Sequence, residues 1–218
     1  MIAVAALRPD DPRPMTARPS ALVFAFALAA CQETVITADA TVPDGGLANA
    51  GQWTAIPGAS CNAQERNVAT QDSPHVDPSA GPIAWLTNPP SSGPHYPTWA
   101  RWGAWPSVPR GYWLHSLEHG GVAMLYRCPS GVCEPVRDAL VAAANGIPTD
   151  RACMPDDASP ARVRVVITVD NEIATPVAAA AWAWLYRADC VDAPSLRRFY
   201  ADHAGRAPED FCADGSYP

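Results

Sequence analysis

Six cysteines spread over most of the chain constrain its fold more than any other feature of the sequence. They are Cys61, Cys128, Cys133, Cys153, Cys190 and Cys212, and a further one, Cys31, stands apart near the N-terminus. An even set of cysteines in an exported chain predicts a disulfide framework, although the sequence does not choose among the pairings. Cys128 and Cys133 form the one local candidate pair, because the Pro-Ser-Gly stretch between them favours a turn. A zinc site made of these cysteines is the weaker interpretation, because no pair has CxxC spacing.

The N-terminus has the form of an export signal. The stretch MTARPSALVFAFALAAC begins at Met15, has Arg18 as its positive region and continues into an apolar run that is too short to span a bilayer. It ends in Leu-Ala-Ala-Cys, which resembles a bacterial lipobox and predicts lipidation of Cys31. The alternative is an ordinary secretory signal beside an unmodified cysteine. We therefore expect residues 1–30 to be a signal segment, with Met15 as an alternative start, and residues 31–55 to be a lipid-anchored flexible tether.

Residues 56–218 have the character of one globular domain in the cell envelope. Of the 218 residues, 48% are hydrophobic, which is enough to build a core. The net charge is −7, and the 15 basic residues, all arginines, form no basic stripe. Nucleic acid is therefore not an expected partner. The expected partner is the membrane, reached through the N-terminal lipid on the periplasmic or extracellular face.

The hydrophobic pattern predicts a mixture of short strands and helices. The 24 prolines and 14 glycines favour short elements joined by irregular loops. Period-two or continuous apolar patterns predict strands, whereas apolar residues three and four apart predict helices. These patterns place strands at 121–128, 161–170 and 176–187, and helices at 134–145 and 193–205. The prediction is a single compact α+β domain with a mostly antiparallel sheet and a few helices, stapled by disulfides.

The histidines gather in the middle of the chain. His115 and His119 lie in GYWLHSLEHGG, His95 lies in the proline-rich stretch NPPSSGPHYP, and His75 lies in SPHVDP. Residues four apart are separated by about 13 Å on a strand and about 6 Å on a helix, so one ion is shared easily only on a helical or turned segment. Gly120 and Gly121 follow directly and favour a looped arrangement.

Neutral imidazole is a good ligand for copper and zinc. We predict that His95, His115 and His119 bind one of these metals, with His75 as a fourth ligand. Glu118 is expected to be a general base acting on metal-bound water or an outer partner of the ligands. The alternatives are a metal-dependent hydrolase of the envelope with a tryptophan-lined cleft, and a non-catalytic binding or scaffold module. His203 is expected to be structural.

Two longer motifs resemble a bacterial family catalogued as domain of unknown function 3105. NPPSSGPHYPTWARWGAW is similar to the family's PPTSGPH-type segment, with Ser91 where threonine is usual, and HSLEHGGVAMLYR is similar to its HSLEHGG-type segment. The pair Ala181-Trp182 matches a later Ala-Trp pair. The resemblance covers residues from about 70 to about 211. It implies no activity, but it implies that a set of residues belongs together: His75, His95, His115, Glu118 and His119.

Overall fold

Strands that are buried on both faces form the centre of the fold. The computed structural model describes residues 51–153 and 161–218. Strand β4 (Val122–Tyr126) pairs in parallel with β5 (Val165–Val169) and antiparallel with β6 (Val177–Ala181). Their residues are nearly all apolar, as expected for strands that are covered on both sides. The remaining strands extend this centre in both directions: β1 (Thr54–Ala55), β2 (Gln64–Asn67), β3 (Gly103–Ala104) and β7 (Trp184–Ala188).

The seven strands form one sheet in the order β1-β2-β7-β6-β4-β5-β3. The pairings of β5 with β3 and β4 are parallel, and all the other pairings are antiparallel. The predicted α+β class and mostly antiparallel sheet are therefore confirmed. Thr54–Ala55, which the sequence assigned to the tether, pairs with Gln64–Glu65, so residues 54–55 belong to the sheet.

Helices cover both faces of the sheet. Helix α1 (Arg110–Glu118) packs on one face with the core that contains Leu125, whereas α2 (Glu134–Asn145) and α3 (Ala193–His203) pack on the other with the core that contains Met124. Neighbouring residues of β4 face opposite sides, so one short strand supports both cores. No helix in residues 51–153 or 161–218 is long and apolar enough to cross a membrane.

The predicted helices and strands are found, but four of their details differ. The strand predicted over 121–128 is confined to Val122–Tyr126. Helix α3 ends at His203 rather than at residue 205. The strand predicted over 161–170 is confined to Val165–Val169, and Val166 and Thr168 are as buried as Ile167, because helices cover both of its faces. The strand predicted over 176–187 is a hairpin, since β6 and β7 pair with each other across a turn in which Ala183 has a φ of 64°.

The segment around His115 and His119 is helical rather than looped. Helix α1 gives little helical pattern in the sequence, because it is buried nearly all round: Gly111 and the run from Trp113 to Leu117 are all buried. Its N-cap is Pro109, which provides no side-chain hydrogen bond to the first turn. An amphipathic stripe marks a helix only when one of its faces meets solvent.

All six cysteines outside the N-terminal segment are paired, which confirms the predicted framework. The pairs are Cys61–Cys190, Cys128–Cys133 and Cys153–Cys212, with Cα atoms 5.2, 5.7 and 5.0 Å apart. Cys128–Cys133 is the predicted local pair, and the other two join distant parts of the chain. Disulfides form and persist in oxidising compartments, so these bridges indicate an environment outside the cytoplasm. Cys31 and the signal segment lie outside the described residues.

Candidate metal centre

His75 and His95 are held side by side by the backbone. The N–H of Val76 donates to the carbonyl of His95 at 2.8 Å, and the N–H of His95 donates to the carbonyl of Pro74 at 3.2 Å. These two bonds form a short parallel bridge between otherwise separate loops. The loop before His95 turns at Gly93, whose φ of 113° is unfavourable for other residues and where a side chain would collide with Gln71. The proline- and glycine-rich sequence thus fixes the direction of the His95 ring.

His115 and Glu118 lie on one face of α1, because residues three apart are neighbours on a helix. The His95 loop is bound to the same helix, since the N–H of Tyr96 donates to the carbonyl of Gly111 at 3.1 Å. Gly111 permits this close approach, because a Cβ there would lie 2.6 Å from the Tyr96 ring. Three chain segments therefore meet at the C-terminal half of α1.

Four ligand-type side chains converge where these segments meet. His75, His95, His115 and Glu118 each offer one nitrogen or oxygen atom, and these atoms all lie within 4.8 Å of one another. The three imidazole centroids are 4.6 to 5.0 Å apart. His95 is fully buried and His115 is 3% exposed, whereas His75 is exposed. The group therefore has a buried floor and one side that opens to solvent.

Hydrogen bonds to the backbone fix which ring nitrogens face the centre of the group. Nδ1 of His95 lies 2.9 Å from the carbonyl of Gly93, and Nδ1 of His115 lies 2.6 Å from the carbonyl of Tyr96. A carbonyl only accepts, so each Nδ1 carries the donated proton, and we infer that each neutral ring has its lone pair on Nε2. Metal-binding histidines in proteins are oriented by the same kind of bond.

The contact between His95 and Glu118 brings two hydrogen-bond acceptors together when the His95 ring is neutral. Nε2 of His95 lies 3.0 Å from Oε2 of Glu118, yet it is buried and makes no aligned hydrogen bond with any of the residues that the structure describes. When the only ring proton is on Nδ1, a lone pair of the His95 Nε2 faces a lone pair of the Glu118 carboxylate. Either an additional proton or a cation relieves this repulsion, and burial of unpaired polar groups is costly. Arg110, on the same helix, is bound to Asp170 at 2.8 Å rather than to Glu118.

The surroundings keep His115 in its neutral form. Burial lowers its pKa to about 3; the bond to Tyr96 opposes this effect, and the neighbouring His95, His119 and His75 lower the pKa further. A neutral imidazole is the form that binds metal, so protons do not compete for Nε2 at neutral pH.

His119, which the sequence predicted as a ligand, lies beside the group of four rather than within it. It follows the last residue of α1, and its ring packs between Trp99 and Phe211, with centroids 4.4 and 4.1 Å away. Its Nδ1 lies 2.8 Å from Oε2 of Glu209. Burial, reinforced by His95, His75 and Arg164, lowers the pKa of His119 to about 4. It therefore forms a second layer behind His115, 4.6 Å from that ring.

The other histidine, serine and tryptophan residues considered for the site lie in structural positions outside the group of four. The Ser116 hydroxyl donates to the carbonyl of Ala100 at 3.3 Å and has no place in the group. His203, expected to be structural, stacks on Trp184 at 4.1 Å on the far side of the sheet. Trp102, Trp113 and Trp182 are buried in the core, so they do not line a cleft.

Some contributors to the site carry no sequence signal. The carbonyl of Tyr96 orients His115 through the backbone, and Glu209 and Phe211 reach the site from the C-terminal segment. Their roles depend on contacts between segments that are far apart in the chain, and an exposed glutamate or a lone phenylalanine is common at any position.

A family model described as protein of unknown function (DUF3105) matches residues 75–214. The matched range starts at His75 and includes every member of the group. No curated protein and no solved structure matches the chain. Since the family model covers more than half of the sequence and includes the converging histidines, we conclude that this chain belongs to the DUF3105 family.

Proposed function

We propose that this protein binds one copper or zinc ion through His75, His95, His115 and Glu118. One observation carries the proposal: side chains from three separate segments bring one ligand atom each to within 4.8 Å of one another. The 3.0 Å contact between Nε2 of His95 and Oε2 of Glu118 is compatible with it, because a cation beside these two acceptor atoms would be bound by both.

The donor set favours copper(II) or zinc(II) over copper(I). It consists of imidazole nitrogens and a carboxylate, whereas copper(I) prefers thiolate and thioether ligands. The six cysteines of the described residues are paired in disulfides, and Met124 is fully buried in the core on the opposite face of the sheet from α1. Residues 51–153 and 161–218 therefore offer no soft ligand at this site.

The arrangement favours metal binding over the alternative roles. A scaffold predicts histidines that are bonded to backbone and share no focus. His95 and His115 do have backbone bonds, but through Nδ1, which leaves their Nε2 atoms converging. A metal-dependent hydrolase would share the metal centre and predicts in addition a tryptophan-lined cleft, whereas Trp102, Trp113 and Trp182 are core residues.

Export and lipid anchoring at Cys31 complete the proposal. The disulfides support an oxidising compartment, and the lipobox-like sequence before Cys31 supports attachment to the membrane. Mass spectrometry of the protein from membranes should find Cys31 as an acylated N-terminus. A soluble mature chain with an unmodified Cys31 would refute the anchor but not the metal site.

Metal content provides the test of the site. The purified protein, loaded with zinc and desalted, should contain one ion per chain by elemental analysis. At a zinc concentration about 100 times Kd, the ion should add about 2.7 kcal/mol to the free energy of unfolding, and a chelator should remove this gain. Glu118→Gln and His115→Ala should each lose most of the bound metal.

One histidine variant serves as the matched control. His203→Ala removes a buried imidazole on the far side of the sheet from the group, so it should retain one ion per chain. The proposal is wrong if His115→Ala, folded by circular dichroism, still holds the wild-type amount of metal, or if His203→Ala loses as much as His115→Ala.

A further inference from the structure

The end of α1 that carries Glu118 is closed by a distant part of the chain. The last carbonyls of a helix have no partner inside it and need donors from elsewhere. Here the N–H of Glu209 donates to the carbonyl of Glu118 at 3.0 Å, and the N–H of Gly205 donates to the carbonyl of Gly120 at 2.9 Å. Both donors belong to the segment Gly205–Cys212, which we call the C-terminal strap.

The strap also reaches His115 through a row of rings. Phe211 packs on His119 at 4.1 Å, and His119 packs on His115 at 4.6 Å. Trp99 lies against His115 and His119 at 5.2 and 4.4 Å. The strap is therefore in contact with the backbone of one proposed ligand and, through His119, with the ring of another.

Two anchors hold the strap in place. Asp210 Oδ1 accepts from Nη1 of the buried Arg164 at 2.6 Å, and the same nitrogen donates to the carbonyl of His119 at 2.9 Å. The adjacent Cys212 is bridged to Cys153, 59 residues earlier in the chain. The bridge fixes the strap at the residue that directly follows Phe211.

We propose that the C-terminal strap, fixed by the Cys153–Cys212 disulfide, positions His115 and Glu118 and thereby sets how tightly the ion is held. This inference rests on the proposed metal binding. Partners outside the ligand set orient metal ligands, and their loss typically weakens binding by about 10- to 100-fold. Phe211 and Glu209 are positioning residues, because they act through His119 and through the helix end rather than on the ion.

The disulfides of this protein supply a matched pair of variants. Cys153→Ser with Cys212→Ser frees the strap, whereas Cys128→Ser with Cys133→Ser opens the bridge that packs against the core on the α2 and α3 face. Zinc affinity is measured by competition with a chromophoric chelator. Cobalt(II) is then bound in place of zinc, because its visible spectrum reports ligand geometry, which a general loss of stability does not change.

The strap variant should bind zinc at least about 10-fold more weakly than wild type and show a shifted cobalt spectrum, while the control pair should stay within about twofold and keep the wild-type spectrum. Phe211→Ala, which retains every disulfide, should act in the same direction, and Phe211→Leu should restore much of the affinity; these variants decide the question if the strap variant does not fold. The proposal is overturned if Phe211→Ala and a folded Cys153→Ser, Cys212→Ser variant both keep the wild-type affinity and spectrum. It is also overturned if the two disulfide variants lose affinity equally. A wild-type protein that binds neither metal would instead refute the proposed function.

Discussion

Replacing Arg164 by methionine is expected to lower the free energy of unfolding by about 3–5 kcal/mol. The Arg164 side chain is 3% exposed and that of Asp150 is 8% exposed. Nε and Nη2 of Arg164 donate to the two Asp150 oxygens at 3.0 and 3.1 Å. Burial raises the pKa of Asp150, but hydrogen bonds from Tyr200 and Arg164 outweigh this effect and lower it. Asp150 is therefore charged at neutral pH, and methionine would leave that charge buried with Tyr200 as its remaining side-chain partner.

The second carboxylate of this network should matter much less. Asp210 lies 2.6 Å from Nη1 of Arg164, but its side chain is 56% exposed. A pair that water can replace contributes about 0–1 kcal/mol, so Asp210→Asn should cost no more than that. The double variant Asp150→Asn with Arg164→Met should recover most of the loss caused by Arg164→Met, because it leaves no buried charge behind.

Urea denaturation followed by circular dichroism measures these differences. Four proteins are compared at one pH: the wild type, Arg164→Met, Asp210→Asn, and the double variant Asp150→Asn with Arg164→Met. The dependence of the unfolding free energy on urea concentration is compared among them to check two-state behaviour. The reasoning fails if Arg164→Met costs less than about 1 kcal/mol, or if the double variant is as unstable as Arg164→Met alone, since either result would mean that the buried charge is not what makes the loss large.

Three further expectations concern other parts of the fold. The pKa of His203 is lowered from 6.5, because burial outweighs the opposing effect of its acidic neighbours. The unfolded chain then binds more protons, so stability falls as the pH drops below 6.5, and His203→Phe should reduce this slope in urea titrations from about pH 7.5 to 5; an unchanged slope contradicts it. Gly111→Ala should weaken zinc binding by about 10-fold in chelator competition, because the new Cβ would push away the Tyr96 ring and with it the loop that carries His95. Wild-type affinity in this variant would refute the role of the close approach between Gly111 and Tyr96. Replacing Cys61 and Cys190 by serine should lower the free energy of unfolding by about 5 kcal/mol in urea, since the bridge closes a loop of 129 residues; a loss below about 2 kcal/mol would contradict the loop argument.

The elements predicted best are those whose pattern depends on local physics. Helix α2 begins and ends where the sequence predicts, because Pro135 suits a first turn and Gly146 follows the last one. Helix α1 was missed because burial all round removes the amphipathic pattern by which a helix is recognised. The turn of the β6–β7 hairpin was missed because alanine, the residue at its left-handed position, is not a turn residue.

The candidate site likewise combines features that follow from local sequence with features that depend on tertiary contacts. The sequence placed His95 in a proline-rich stretch, and the bond of its Nδ1 to Gly93 sets the direction of its ring. The sequence predicted both His119 and His75 as ligands and contained no signal that separates the two. His119 is nearer to His115 along the chain, but at the end of α1 its ring turns toward Phe211, whereas His75 is brought in by a backbone bridge to His95.

By itself, the sequence determined what depends on residue type and short-range spacing: the α+β class, the disulfide framework and the group of motifs in which the histidines lie. Only the tertiary structure decided how the four cysteines other than the local pair Cys128–Cys133 are joined, that His75 and His95 converge with His115 and Glu118, and that the C-terminal strap stands behind them. The physical reason is that these features are contacts between residues tens of positions apart. Such contacts are selected by the packing of the whole domain, and no local pattern records them.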